Sequence, residues 1–211
     1  METEPIAAYE LGNKTLKIYS DISAGPPREN DDGNIGIMLC FHTRYSLGDI
    51  AATEALGKSF SKRFSGWGEM REYIEKELKG ICILPLFLYD HSGISIKVGS
   101  FSGLPQGHAE FDSGQVGFIY TTRARCTELG VKLRSKKLEA ALRQEVEIYN
   151  QYLTGEVYGF VIEENTTCDK CGHVAVEVID SCWGFYGSDI EENGILDNIG
   201  KEWRAVVEKK K

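Results

Sequence analysis

The chain has 211 residues, of which 42% are hydrophobic and 10% aromatic, and 24 Lys and Arg against 32 Asp and Glu give a formal net charge of −8. This composition excludes a fibrous or disordered chain, and the length suits one domain with a buried core. The excess of acid excludes a protein that coats nucleic acid through the phosphate backbone, since that binding needs clustered Lys and Arg.

The start, Met-Glu-Thr-Glu-Pro, lacks the basic and apolar regions of a secretory signal. The longest apolar run, Ile81–Tyr89, falls well short of the roughly 20 residues that span a bilayer. A cytoplasmic protein of the host cell with no membrane partner is expected. Residues 1–15 are polar and without period and predict a flexible N-terminus, followed by a single α+β domain over 16–208. Leu16–Tyr19 alternates and predicts a strand. Residues 20–33, rich in Gly, Pro, Asn and Asp, predict a loop. Asn34–His42 is an apolar run too short for a helix and predicts a buried strand, whereas Thr43–Gly68 gives a mixed signal. Met70, Tyr73, Ile74 and Leu78 recur at helical spacing, with Gly80 placed to end the helix in the left-handed conformation. Ile81–Tyr89 predicts a strong strand in which Pro85 removes a ladder donor, implying an edge position or a bulge. Ile94–Val98 returns from it through His91-Ser-Gly93, and Gln115–Thr121 predicts a further strand.

Leu138, Leu142, Val146, Tyr149 and Leu153 mark one face of a helix that Gly155 ends. Val157–Ile162 and Val174–Ile179 alternate around a Cys-containing turn and predict a hairpin. A last helix carries Ile195, Ile199, Trp203, Val206 and Val207 before a Lys-rich tail. About six or seven strands and about three helices, without regular alternation, argue for an α+β fold with a mixed or antiparallel sheet.

The charge is uneven. Thr121–Lys137 holds six basic residues and one acid, a local +5 that includes Arg123, Arg125 and Lys132. Glu156–Asn198 holds ten acids and one Lys, a local −9 that includes Glu163, Glu164, Glu191 and Glu192. Beyond two solvated faces, the acidic stretch suits a basic partner and the basic stretch suits a phosphate-bearing ligand.

Three polar motifs can carry chemistry. Leu88-Tyr-Asp-His-Ser-Gly93 places Asp90 and His91 at a strand end, Asp112-Ser-Gly-Gln115 opens the next strand, and His42 closes an earlier one, followed by Arg44 and Asp49. Each can be a simple turn. If the strands are neighbours, His42, Arg44, Asp90, His91 and Asp112 converge, and carboxylates with imidazoles suit a general base or a divalent metal. The spacings of zinc proteases, serine hydrolases and phosphate-binding P-loops are missing, and Gly99-Ser-Phe-Ser-Gly103 lacks the strand-to-helix context of a phosphate loop. Cys168-Asp-Lys-Cys-Gly-His173 supplies two thiols from one turn, half of a zinc site, for which His173 and Cys182 are the remaining candidate donors. The other cysteines, Cys40, Cys82 and Cys126, read as small hydrophobes in a reducing compartment. Tyr149, Tyr152, Tyr158, Trp183, Phe185 and Tyr186 read as packing aromatics, with stacking on bases as the alternative.

Five motifs in order resemble a family of small proteins encoded by bacteriophages and integrated mobile elements: Asn34–Asp49, Leu88–Gly93, Asp112–Tyr120, Tyr152–Phe160 and Asp180–Gly187. The resemblance runs from about Leu16 to Gly187, with departures at Asn150, where the family carries an acid before Gln-Tyr, and at Gly25-Pro26. It implies a context and no activity. Accessory proteins of this kind inhibit restriction, CRISPR or nucleotide-signalling defence. The leading expectation is therefore a non-enzymatic anti-defence (anti-CRISPR or similar) inhibitor that binds a host defence protein or ribonucleoprotein through Glu163, Glu164, Glu191 and Glu192. The alternatives are a metal-dependent nuclease or phosphodiesterase using His42, Asp90, His91 and Asp112, and a sponge for a phosphate-bearing signal at Arg123, Arg125 and Lys132. Zinc at Cys168, Cys171, His173 and Cys182 is the one cofactor suggested.

Overall fold

Alternating side chains build eight strands here, and they form two four-stranded sheets in which every pairing is antiparallel. The computed structural model describes residues 4–29, 33–57, 59–101, 112–132 and 135–208. The fold is α+β, as expected, with more strands than the alternation alone marked out. Contacts group the chain into two compact units: Met1–Gly25 with Gly155–Lys211, and Pro26–Thr154.

In the first unit β1 (Ala7–Leu11) and β2 (Lys14–Ser20) form a hairpin, β7 (Val157–Thr167) lies beside β2, and β8 (Val174–Tyr186) lies beside β7. β1 falls within the stretch expected to be flexible. Its Ala7, Tyr9 and Leu11 pack against the core, and all five of its residues pair with β2. One face of this sheet, with Leu16, Ile18, Phe160, Ile162 and Phe185, is covered by Ile195, Leu196, Ile199, Trp203 and Val207. Four of these residues come from two short helices rather than the single one expected, α6 (Ile195–Asn198) and α7 (Lys201–Glu208), and the fifth, Ile199, lies between them where the backbone is extended.

The second unit holds the order β3-β6-β4-β5, from β3 (Ile37–Cys40), β4 (Gly80–Asp90), β5 (Ile94–Val98) and β6 (Ser113–Thr122). α5 (Ser135–Thr154) lays Leu138, Leu142, Val146 and Tyr149 against one core cluster of this unit. α3 (Trp67–Lys76) lays Met70 and Ile74 into another cluster with Phe118 and Tyr120, beside the short α1 (Ile50–Ala55) and α2 (Phe60–Arg63). α4 (Arg123–Glu128) follows β6 directly. Pro85 sits in an interior strand, and the bulge alternative applies, since β4 shifts register against β6 between Ile81 and Leu84 and again between Leu86 and Phe87. The left-handed residue after α3 is Lys79 (φ +56°), not Gly80. Gly80 is needed instead for closeness, because a Cβ there would lie 2.5 Å from Ile74 Cγ2. Among the described residues no helix is long and apolar enough to cross a membrane.

Candidate functional site

The second unit is organised around a buried arginine that the sequence hid in a loop. Arg28, with 2% of its side chain exposed, grips Asp49 with two hydrogen bonds of 2.8 Å, from Nε and Nη2. Its Nη1 donates to Glu145 Oε2 (2.9 Å) and Asn34 Oδ1 (3.3 Å), and Nη2 also donates to the Gly36 carbonyl (2.7 Å). The fork of five N–H groups is thereby used in full. The carboxylates are satisfied in turn: Glu145 accepts the amides of Ile35 (2.5 Å) and Gly36 (3.0 Å), and Asp49 accepts that of Met38 (2.9 Å). Burial opposes the charge on Arg28, yet the hydrogen bonds and charges of Asp49 and Glu145 prevail and hold the guanidinium more firmly protonated than usual.

β3, β4 and β6 are neighbours, so the polar strand ends do meet. Arg44 pairs with Asp90, which also accepts the Tyr45 hydroxyl (3.1 Å), and His91 Nδ1 lies 3.0 Å from Asp112 Oδ2. His42, Arg44, Asp90 and Asp112 line one pocket of about 250 Å³. His42 stacks on Tyr45 with ring centroids 5.0 Å apart, and its Nδ1 accepts the Arg44 amide (3.3 Å). Partial burial, aided by the Arg44 charge and opposed by Asp90, holds His42 below its ordinary pKa and so neutral at pH 7. The group can move a proton. It is less suited to hold a metal, because Asp90 is already engaged by Arg44 and Tyr45, and among the described residues no three His, Cys, Asp or Glu side chains are grouped to do so.

A larger cavity of about 830 Å³ lies beside the Arg28 network, lined by Arg28, Arg44, Tyr45, Arg125 and Tyr152 among others. Arg125 belongs to the basic stretch, but its Nε is directed onto the Asn34 carbonyl (2.7 Å), while Arg123 and Lys132 are exposed. The stretch is therefore not one presented patch. Arg134 lies outside the described residues, as do the last two positions of Gly99–Gly103. Asn150, where the resembling family carries an acid, accepts from Ser95 Oγ (2.8 Å) and the Ile96 amide (2.9 Å), an acceptor role that either residue fulfils.

In the first unit the four expected acidic contacts are not one surface. Glu163 and Glu164 are consecutive on β7 and so face opposite sides of the sheet, Glu163 bonded to Lys17 (2.7 Å) and Glu164 to Asn13 (3.2 Å). Glu191 and Glu192 follow the far end of β8, beyond Tyr186. Nine residues of strand, roughly 30 Å, separate that end from Glu177, the partner of Glu164. The concentrated acid is instead Glu164 beside Glu177, with Asp180 further along β8.

β8 was legible as half of a hairpin; its position was not. It is an edge strand of 13 residues, and Val174, Val176, Val178, Ile179 and Trp183 stand 42–59% exposed. The ladder shows where its backbone points. Cys168 N–H donates across the hairpin to the His173 carbonyl (2.8 Å), whereas the Asn165 N–H turns away from β8 to Asn13 O (2.8 Å). Alternation then directs the N–H and C=O of Val174, Val176 and Val178, opposite Thr167, Asn165 and Glu163, outward from the sheet. Their side chains share the face of Trp183, which lies over Gly159 and 6.1 Å from Tyr19.

Cys168 and Cys171 are exposed at the hairpin tip, where amides of Lys170 and Cys171 and the Cys171 thiol hydrogen-bond Cys168 and lower its pKa. Cys182 does not join them: it pairs with Phe160, eight residues or roughly 26 Å along β8 from Val174. Compared with protein-family models, curated proteins and solved structures, the chain matches none.

Arg28→Met leaves two largely buried carboxylates without their cation and is expected to cost about 3–5 kcal/mol in urea unfolding. Arg28→Lys recovers little of it, since an ammonium has three donors where the planar guanidinium fork uses five; losses below about 1 kcal/mol for both variants would remove the network's structural role. NMR titration of His42 is expected to give a midpoint below 6.5, and Arg44→Gln to raise it. Because folding weakens proton binding there, this imidazole favours the folded state above its ordinary pKa and opposes it on acidification.

Proposed function

We propose that the protein is a bacteriophage or mobile-element accessory protein that binds and inhibits a bacterial defence component, receiving an extended segment of that partner along the edge of β8. What supports this reading is the outward backbone of Val174, Val176 and Val178. Natural sheets blunt long edges with Pro, Lys or bulges, and from Val174 to Val178 β8 has none of these. An incoming strand would gain main-chain hydrogen bonds, with side-chain contacts adding selectivity. On one face it meets the valines, and on the other Glu164, Glu177 and Asp180. The complementary segment therefore alternates apolar residues with Lys or Arg. The resemblance to mobile-element proteins supports the host side of the reading by likeness alone.

A hydrolytic reading is the second one, supported by the contact between His91 and Asp112 and by the pocket that Asp112 lines together with His42 and Asp90. One set of variants separates the two. Val176→Pro deletes an outward N–H without touching the ladder to β7, so the fold is expected to stand. Co-purification from cells carrying restriction, CRISPR and nucleotide-signalling systems is expected to retain a defence component with wild type and with His91→Ala, and to lose it with Val176→Pro. Retention by Val176→Pro, or breakdown of nucleic acid or nucleotide that His91→Ala abolishes, would overturn the binding reading.

A further inference from the structure

The tip of the β7–β8 hairpin is more elaborate than a turn requires. Gly172, at φ +71°, lets the chain reverse, and its N–H donates to the Cys168 carbonyl (2.8 Å) while Cys168 N–H returns to the His173 carbonyl (2.8 Å). Those backbone bonds close the turn by themselves. Nothing in them calls for cysteine at 168 or 171. Yet both positions carry exposed thiols, and the turn aims the amides of Lys170 and Cys171, with the Cys171 thiol, at the Cys168 sulfur. Two adjacent sulfurs in a tight turn, one of them receiving N–H···S bonds, are the arrangement with which a hairpin holds a thiophilic cation.

Zinc in a closed thiolate site takes four ligands in a tetrahedron, and the described part of the chain supplies two. His173 directs its carbonyl back to Cys168, and no third His, Cys, Asp or Glu is grouped with the pair among the described residues. Cys182 lies well down the strand. Cys40 and Cys126 are buried in hydrophobic cores, and Cys82 packs against one of them. Among the described residues no other donor stands beside the pair, and a second hairpin tip of the same kind can supply the two that are missing. The tip is open to receive them: residues 168–173 are all exposed, and the pairing of β2 with β7 stops at Glu164, short of the tip.

We infer that Cys168 and Cys171 form half of a tetrathiolate zinc site, which closes when the hairpin tip of a second copy of this chain supplies the other two sulfurs about a two-fold axis. A two-fold operation brings the same patch from each copy, so two identical half-sites make one complete set of four ligands. On closure Zn²⁺ binds four sulfurs, each chain gives up its two thiol protons, and no redox change is involved. The inference concerns the hairpin tip and stands apart from strand addition along Val174–Val178.

The test uses the full chain, freed of metal and kept reduced, to which zinc alone is added. Saturation is expected at one zinc per two chains, with a doubling of mass in sedimentation that a chelator reverses. Cobalt in place of zinc is expected to give the thiolate charge-transfer and tetrahedral ligand-field bands of a four-sulfur site. Cys168→Ser and Cys171→Ser are each expected to abolish both effects at unchanged circular dichroism, while Cys182→Ser and His173→Ala leave them intact. One zinc per chain without a change in mass, zinc binding that survives Cys168→Ser, or no zinc uptake by the reduced wild type would each overturn the proposal.

Discussion

A guanidinium taken out of water has to match every N–H it carries, and the second unit is arranged around that demand at Arg28. Its hydrogen bonds draw together the loop that begins at Pro26, the entry to β3 at Gly36, the residue before α1 at Asp49 and the middle of α5 at Glu145. Two carboxylates against one cation leave an excess negative charge, which the amides of Ile35, Gly36 and Met38 absorb. A pair of this kind adds less to stability than its contacts suggest, because desolvation offsets the attraction. What it fixes is arrangement. With β3 and the residues that lead into it held by the two acids, His42 and Arg44 emerge where they meet Asp90 at the end of β4 and Asp112 just before β6.

In the first unit β2 and β7 are each paired on both sides beneath Trp203, whereas β1 and β8 are the two edges of the sheet, each paired on one side only. The outward groups of Val174, Val176 and Val178 and the two thiols at the hairpin tip are places where this unit leaves hydrogen-bonding or metal-binding capacity facing solvent. Both are capacities for another molecule, and both follow from hydrogen-bond geometry rather than from the net charge of the segment.

Period-two alternation revealed β2, β5 and the β7–β8 hairpin in the sequence, and helical spacing revealed α3 and α5, because those signals are local. The meeting of His42, Asp90 and Asp112 could only be conjectured, since no local pattern sets strand order. Arg28 gave no signal: one arginine among Pro, Asn and Asp has no period. Glu145 did give one, for it falls three residues after Leu142 and four before Tyr149, on the apolar stripe of α5, and an acid on such a stripe calls for a buried partner. The acidic segment misled for a geometric reason. Neighbours in a strand point apart, so Glu163 and Glu164 never formed a pair, whereas Glu177, unremarked in sequence, stands directly beside Glu164.

An open edge requires the outward N–H groups of β8 to be unprotected, and residue-resolved amide hydrogen exchange in the free protein examines them directly. Val174, Val176 and Val178 are expected to exchange fast while Ala175 and Glu177, bonded to β7, exchange slowly. Uniform protection from Val174 to Val178, or the opposite alternation, would contradict an edge that is open to a partner strand.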